Sequence, residues 1–146
     1  MCTDKYEETW LPQQIKGIGP MTALAFMLTI GDARRFKKSR AVGPYVGLTP
    51  RRDQSGETDK ELRITKAGSG YLRRLLVGCA HYIMGPFGPD CQLRRFGMRI
   101  AASGSKKAKR RAVVAVARKL SCIMHRLWVT AEVYDPFYNS KDKRAA

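Results

Sequence analysis

The sequence predicts an all-α, compact domain of five or six helices that contains a helix-hairpin-helix motif. Three observations lead there. Apolar residues recur at three- and four-residue spacings over 70–84 and 106–129, the period of an amphipathic helix. Alternating runs that would mark strands are almost absent. Gly, Pro and Ser punctuate the chain at 17–20, 43–44, 85–89 and 103–105 and cut it into helix-sized lengths. At 146 residues the chain has the length of one domain. It can bury a sizeable core without help from disulfides or metals.

The elements follow in order. Residues 10–15 read as a short helix. Gly17 and Gly19 permit a tight turn, and Pro20 suits a first helical position. Residues 20–30 are almost wholly apolar, which predicts a buried helix stopped by Gly31. Two short helices across a G-x-G turn form the hairpin pattern. Backbone N–H groups at the second helix start can face a phosphate there. Lys16, Gly17 and Gly19 are the candidate contacts, with a plain tight turn between packed helices as the alternative.

Residues 32–38 form a basic connector, and Ser39 reads as the N-cap of a short helix to Val46. The stretch 49–62 is polar and rich in turn formers, so it reads as a loop. Ser69 is placed to cap a helix from Gly70 to about Met84. Its apolar face is Leu72, Leu75, Leu76, Cys79, Ala80 and Ile83, and Arg73 and Arg74 fall off that face. Asp90 reads as the cap of a helix to about Ala102. The last helix is expected over 106–129, with Val113, Val116, Ala117, Leu120, Ile123, Met124 and Leu127 as its core stripe. The domain is expected to span 11–133, with 1–10 an extension and 134–146 a partly frayed tail.

Charge carries the first functional signal. The formal net charge is +16, unevenly spread. Residues 34–74 hold twelve bases against four acids, and residues 94–126 hold eleven bases and no acid. Two basic blocks in a folded domain point to a polyanionic partner, with nucleic acid foremost. The last helix opens with Lys106, Lys107, Lys109, Arg110 and Arg111. Cations there oppose the helix dipole, which favours a phosphate or a solvated face over an intramolecular pair.

No apolar run reaches the roughly 18 residues of a membrane span, and the first ten residues carry three acids and no apolar centre. These features argue against a membrane protein and a signal peptide, and the expected location is cytoplasmic. Cys2, Cys79, Cys91 and Cys122 show no C-x-x-C spacing. They are expected to be reduced thiols. His81 and His125 sit beside apolar residues. No metal site and no cofactor are expected in this chain.

The ordered motifs then form a pattern. Ile15-Lys16-Gly17-Ile18-Gly19-Pro20 with Thr22-Ala23 opens it, followed by Ile30-Gly31-Asp32 and Arg34-Arg35-Phe36. Next come Tyr45-Val46-Gly47-Leu48-Thr49-Pro50, Gln54-Ser55-Gly56, Arg63-Ile64-Thr65-Lys66 with Gly68, and Tyr71-Leu72-Arg73-Arg74-Leu75-Leu76. Lys106-Lys107 and Ala115-x-Ala117-Arg118-Lys119-Leu120 complete it. Over roughly 11–130 the series closely resembles the C-terminal transposase domain of the DEDD-type insertion-sequence transposases. Those proteins carry a RuvC-like domain in front of this one, and some are guided by a structured bridge RNA.

The resemblance implies that Ser55 is the nucleophile of DNA strand exchange. A serine hydroxyl needs a base or metal to activate it and cations to stabilise the charge at phosphorus. Arg51, Arg52, Lys60, Arg63 and Lys66 lie within eleven positions of Ser55 and are candidates to hold that phosphate. The resemblance further implies DNA as partner, structured guide RNA as a second one, and a homo-oligomer in the full-length protein. Mg2+ would be held there by the RuvC-like acids. The acids near Ser55, which are Asp53, Glu57, Asp59 and Glu61, make this loop less basic than is usual in the family. The chain is expected to be a C-terminal fragment or truncated product, silent alone. Read from residues only, Gln54-Ser55-Gly56 is an ordinary turn, and a non-catalytic nucleic-acid-binding helical module is the alternative function.

Overall fold

The computed structural model describes residues 7–55 and 58–138, with residue 7, 52–55 and 58–62 described by backbone alone. Among the described residues, six α-helices form the body: α1 (Trp10–Gln13), α2 (Pro20–Ile30), α3 (Val42–Tyr45), α4 (Gly70–Met84), α5 (Gln92–Ile100) and α6 (Lys106–Thr130). Short 3-10 turns occupy Glu7–Thr9, Ala33–Arg35 and Ser39–Ala41. The helical class and the bounds of α2, α4 and α6 follow the sequence expectation closely.

The core lies where α4 and α5 pack on α6, with α2 packed in turn on α4. Phe26, Ile30, Leu72, Leu76, Ile83, Leu93, Leu120, Met124 and Leu127 are all buried there. Burial of side chains this size stabilises the fold by about 1.5–3 kcal/mol each. At ~1.5 Å per residue, the 25 residues of α6 make a rod of about 37 Å against which the other helices are arranged.

Three local expectations are corrected. Residues 49–62 are not a loop: Pro50–Ser55 (β1) and Thr58–Ile64 (β2) pair as an antiparallel hairpin. Arg52 faces Glu61 and Asp53 faces Lys60 in backbone register, so two of the segment's four acids stand opposite cations, while Asp59 faces Gln54. Between Pro50 and Arg52 the register shifts, because Leu62 and Arg63 together oppose Arg51 as a β-bulge. Ser39 caps no helix; its hydroxyl lies 2.9 Å from Nδ1 of His125. Asp90 is not the cap of α5 either. Cys91 takes that position, its sulfur accepting from the Arg94 amide, while Asp90 holds the Arg95 guanidinium at 2.9 Å. The Asp90 carboxyl is lowered from its ordinary value by that hydrogen bond.

Ser69 accepts from the Leu72 amide as the cap its position predicts, and Ser105 caps α6 in the same way, accepting from the Ala108 amide. Beyond α6 the chain is tied back to the body as far as Tyr138. The Tyr134 amide donates to Oε1 of Gln14 at 2.9 Å, and the Gln92 amide donates to the Pro136 carbonyl at 2.8 Å. Arg95 and Arg126 stack over the rings of Phe137 and Tyr138. The frayed stretch expected at 139–146 lies outside the described residues.

Candidate nucleic-acid interface

The base of the hairpin is locked to the helical body by two crossing backbone segments. The Thr65 amide donates to the Thr49 carbonyl at 3.0 Å, and the Lys66 amide to the Gly47 carbonyl at 3.2 Å. Gly47 has φ +77°, and a Cβ there would overlap the backbone of Ala67. Only glycine meets both demands. Lys66 itself holds a left-handed φ of 56°, an uncommon conformation for a side-chain-bearing residue. Arg73 completes the junction. Its guanidinium donates to the Ala67 carbonyl at 2.6 Å and reaches those of Val46 and Gly68 at 3.4 Å.

This junction brings the two basic blocks together. A groove of about 920 Å3 runs between the hairpin base and the first half of α6. Its apolar floor is Pro50, Ile64, Ile100, Val114 and Ala115, with Leu48 fully buried beneath them. Its cations are Arg63 and Lys66 from the hairpin side, and Lys107, Arg110, Arg111 and Arg118 from α6. No carboxylate is among the described residues that line it. Six cations around one concave surface generate a positive potential that low-dielectric walls focus.

The other candidates are placed as follows. Lys106 and Lys109 are exposed on α6 outside the groove lining. Arg51 is exposed on β1 beside the bulge, and Arg74 is exposed on α4. Arg73 is occupied by carbonyls, as described. Arg52 and Ser55 are placed by backbone only: Ser55 ends β1 opposite Thr58, and Gly56 and Glu57 lie outside the described residues. Five residue steps at about 3.3 Å put Ser55 roughly 16 Å along β1 from Pro50 at the groove edge.

The turn between α1 and α2 is not part of this groove. Gln14 donates to the Glu132 carbonyl at 3.1 Å, beyond the far end of α6. About 28 Å of helix, at 1.5 Å per residue, separates Arg111 from Thr130. Lys16, Gly17 and Gly19 are exposed. Gly17 has φ +108°, and a Cβ there would lie 2.8 Å from the Tyr82 ring. Gly19 has extended backbone and open space around its α-carbon.

Sequence reading missed the apolar floor and Arg118. The signal was present in the period of α6: positions 107, 110, 111, 114 and 118 fall on one helical face. Ile100 and Leu48 carry no such signal, because only the tertiary fold brings them to this face.

His125 is structural. It is buried, with Nε2 2.7 Å from the Ala33 carbonyl, so Nε2–H donates there and Nδ1 accepts from Ser39. Cys79, Cys91 and Cys122 are free thiols, and burial pushes Cys79 and Cys122 above the ordinary thiol range. Burial and then the nearby Arg99 lower Lys119, whose ammonium stands 4.2 Å from the Phe96 ring centroid. Among the described residues no three His, Cys, Asp or Glu side chains are grouped to hold a metal ion. No described helix is long and apolar enough to cross a membrane.

A helical body with a cationic groove and a projecting hairpin is an architecture suited to a polyanion. Its kinship is specific. Residues 11–94 match the transposase IS116/IS110/IS902 family, and the chain belongs to that family. It is 31% identical over 122 residues to the transposase for insertion sequence element IS1111A of Coxiella burnetii, covering 84% of this chain and 33% of that protein. It is 40% identical over 70 residues to the transposase for insertion sequence element IS1328 of Yersinia enterocolitica, covering 48% of this chain and 21% of that protein. The pilin gene-inverting protein of Moraxella lacunata is 32% identical over 112 residues, 76% of this chain and 34% of that protein. The chain thus matches about a third or less of the length of these relatives.

Proposed function

We propose that this chain is the nucleic-acid-binding, serine-bearing domain of a DNA transposase or recombinase. The observation that carries the reading is the groove: two basic segments far apart in sequence meet at the base of the hairpin that bears Ser55. Membership of the transposase family supports it.

In this reading the groove cations hold the phosphate backbone by charge-assisted hydrogen bonds. Ser55 Oγ attacks a phosphorus of the strand laid against the hairpin tip, and its proton passes to a base outside this chain. A serine–phosphorus ester forms. One phosphodiester oxygen leaves, takes up a proton and becomes a deoxyribose hydroxyl. Attack by a second hydroxyl reverses the step, so the strand is rejoined without a nucleotide cofactor.

The described residues do not fit a Mg2+ site. The metal is assigned to the acids of a RuvC-like domain in the whole protein, which also suits a homo-oligomer and, as a second partner, a structured guide RNA. The turn Lys16-Gly17-Ile18-Gly19 is assigned as a helix-hairpin-helix contact on a separate stretch of backbone, since Gly19 leaves room for a phosphate oxygen. The runner-up, a non-catalytic binding module, keeps the groove and makes Ser55 a turn residue.

Ser55→Ala in the whole transposase separates the two. The proposal expects strand exchange reduced by a factor of about 1,000 or more, with DNA binding within about twofold of the parent. Unchanged recombination by the variant contradicts the catalytic reading and leaves the binding module.

A further inference from the structure

We infer that the groove between the hairpin and α6 takes an unpaired nucleic-acid strand, its floor receiving base and sugar faces and its rim the phosphates. The inference rests on the nucleic-acid reading above and goes further by naming the form of the ligand.

The lining has two chemistries side by side. Pro50, Ile64, Ile100 and Val114, all partly exposed, make an apolar floor, and Arg63, Lys66, Lys107 and Arg110 stand around it. A duplex presents phosphates outward and keeps its base faces stacked inside. Docked here it would leave the floor uncovered, or press charged oxygens against aliphatic carbon, which strips their water without replacing it. A flat cationic ridge would serve a duplex better. An unpaired strand offers what the groove lacks: an apolar base face at each nucleotide and a phosphate beside it. Channels that bind single strands combine these two elements. Here the floor is aliphatic rather than aromatic, so the gain per base is smaller and little sequence preference is expected.

The geometry of the hairpin fits the same occupant. A strand leaving the groove along β1 reaches Ser55 after roughly 16 Å, a distance an extended strand covers in a few nucleotides. Arg63, beside the register shift of the hairpin, is among the lining residues.

Fluorescence anisotropy of the chain with labelled oligonucleotides of equal length tests this. The ligands are a single strand, its duplex, and a single strand with abasic sites throughout. The single strand is expected to bind about tenfold tighter than the duplex, and the abasic strand to fall to the duplex level. Ile100→Ala should narrow the preference for the normal over the abasic strand and leave the salt slope unchanged. Equal or tighter binding of the duplex, or an abasic strand as good as the normal one, overturns the inference and leaves the proposed function standing. Failure of every nucleic acid to bind overturns both. Displacement of the single strand by polyglutamate of equal charge at equal efficiency shows the floor to be idle, and also overturns it.

Discussion

Gly47 and Ala67 are packed backbone against backbone, and a Cβ at position 47 would overlap both the carbonyl oxygen and the amide nitrogen of Ala67. This packing positions the hairpin, because the hydrogen bonds Thr65–Thr49 and Lys66–Gly47 flank it. Gly47 also holds φ +77°. Gly47→Ala therefore meets steric overlap and left-handed strain together. We expect a destabilisation of about 3 kcal/mol, which for a domain of this size lowers Tm by roughly 6–12 °C. Thermal denaturation followed by circular dichroism reads it, and an unchanged Tm would show that the junction yields freely.

His125 holds two 3-10 turns to α6 through Ser39 and Ala33. Truncation by His125→Ala removes both bonds, leaves the Ala33 carbonyl unpaired and opens a cavity beside Phe36. The expected cost is about 2–4 kcal/mol. Chelator should leave the Tm of the parent chain unmoved. A chelator-sensitive Tm would make His125 a ligand rather than a structural side chain.

Burial pushes the phenol of Tyr134 up to about 12, against an ordinary 10.0. The folded state keeps the proton that the unfolded chain gives up first. The resulting stabilisation is complete below pH 10 and disappears as pH rises through about 12. Alkaline unfolding should therefore steepen across this window in the parent and less so in Tyr134→Phe. Equal slopes in the two proteins would contradict the assignment.

Much of the body was legible in sequence because its signals are local. Ser69 sits just before a periodic apolar run, Pro20 opens an apolar stretch, and the break at Ser103-Gly104-Ser105 precedes the last helix, so the starts of α2, α4 and α6 are marked. The hairpin was hidden for a physical reason. Its sequence is mostly charged and polar and lacks the apolar–polar alternation that marks a half-buried strand, and only the backbone register shows Arg52 opposite Glu61 and Asp53 opposite Lys60. Ser39 and Asp90 misled because a good capping residue also has other uses. Ser39 reaches His125, eighty-six positions away, and Asp90 holds Arg95. The candidate site was half visible. Charge blocks marked Arg63, Lys66, Lys107, Arg110 and Arg111, while their meeting over Leu48 and Ile100 is a property of the fold alone.

Salt dependence of binding, measured for two double variants of α6, decides whether the groove is the interface. Lys107→Gln with Arg110→Gln removes two cations from the groove, and Lys106→Gln with Lys109→Gln removes two from outside it. Both change the net charge equally, so any difference between them reports the groove and not the overall charge. For every phosphate no longer neutralised, the slope of log K against log salt becomes shallower by about 0.7 on a single strand and about 0.9 on duplex DNA. The groove pair should make the slope shallower by about 1.4 on a single strand, with affinity down at least tenfold, and the outer pair should change it by less than half as much. Equal slopes for the two variants would contradict this, because the cations would then act only as diffuse charge and the groove would not be the interface.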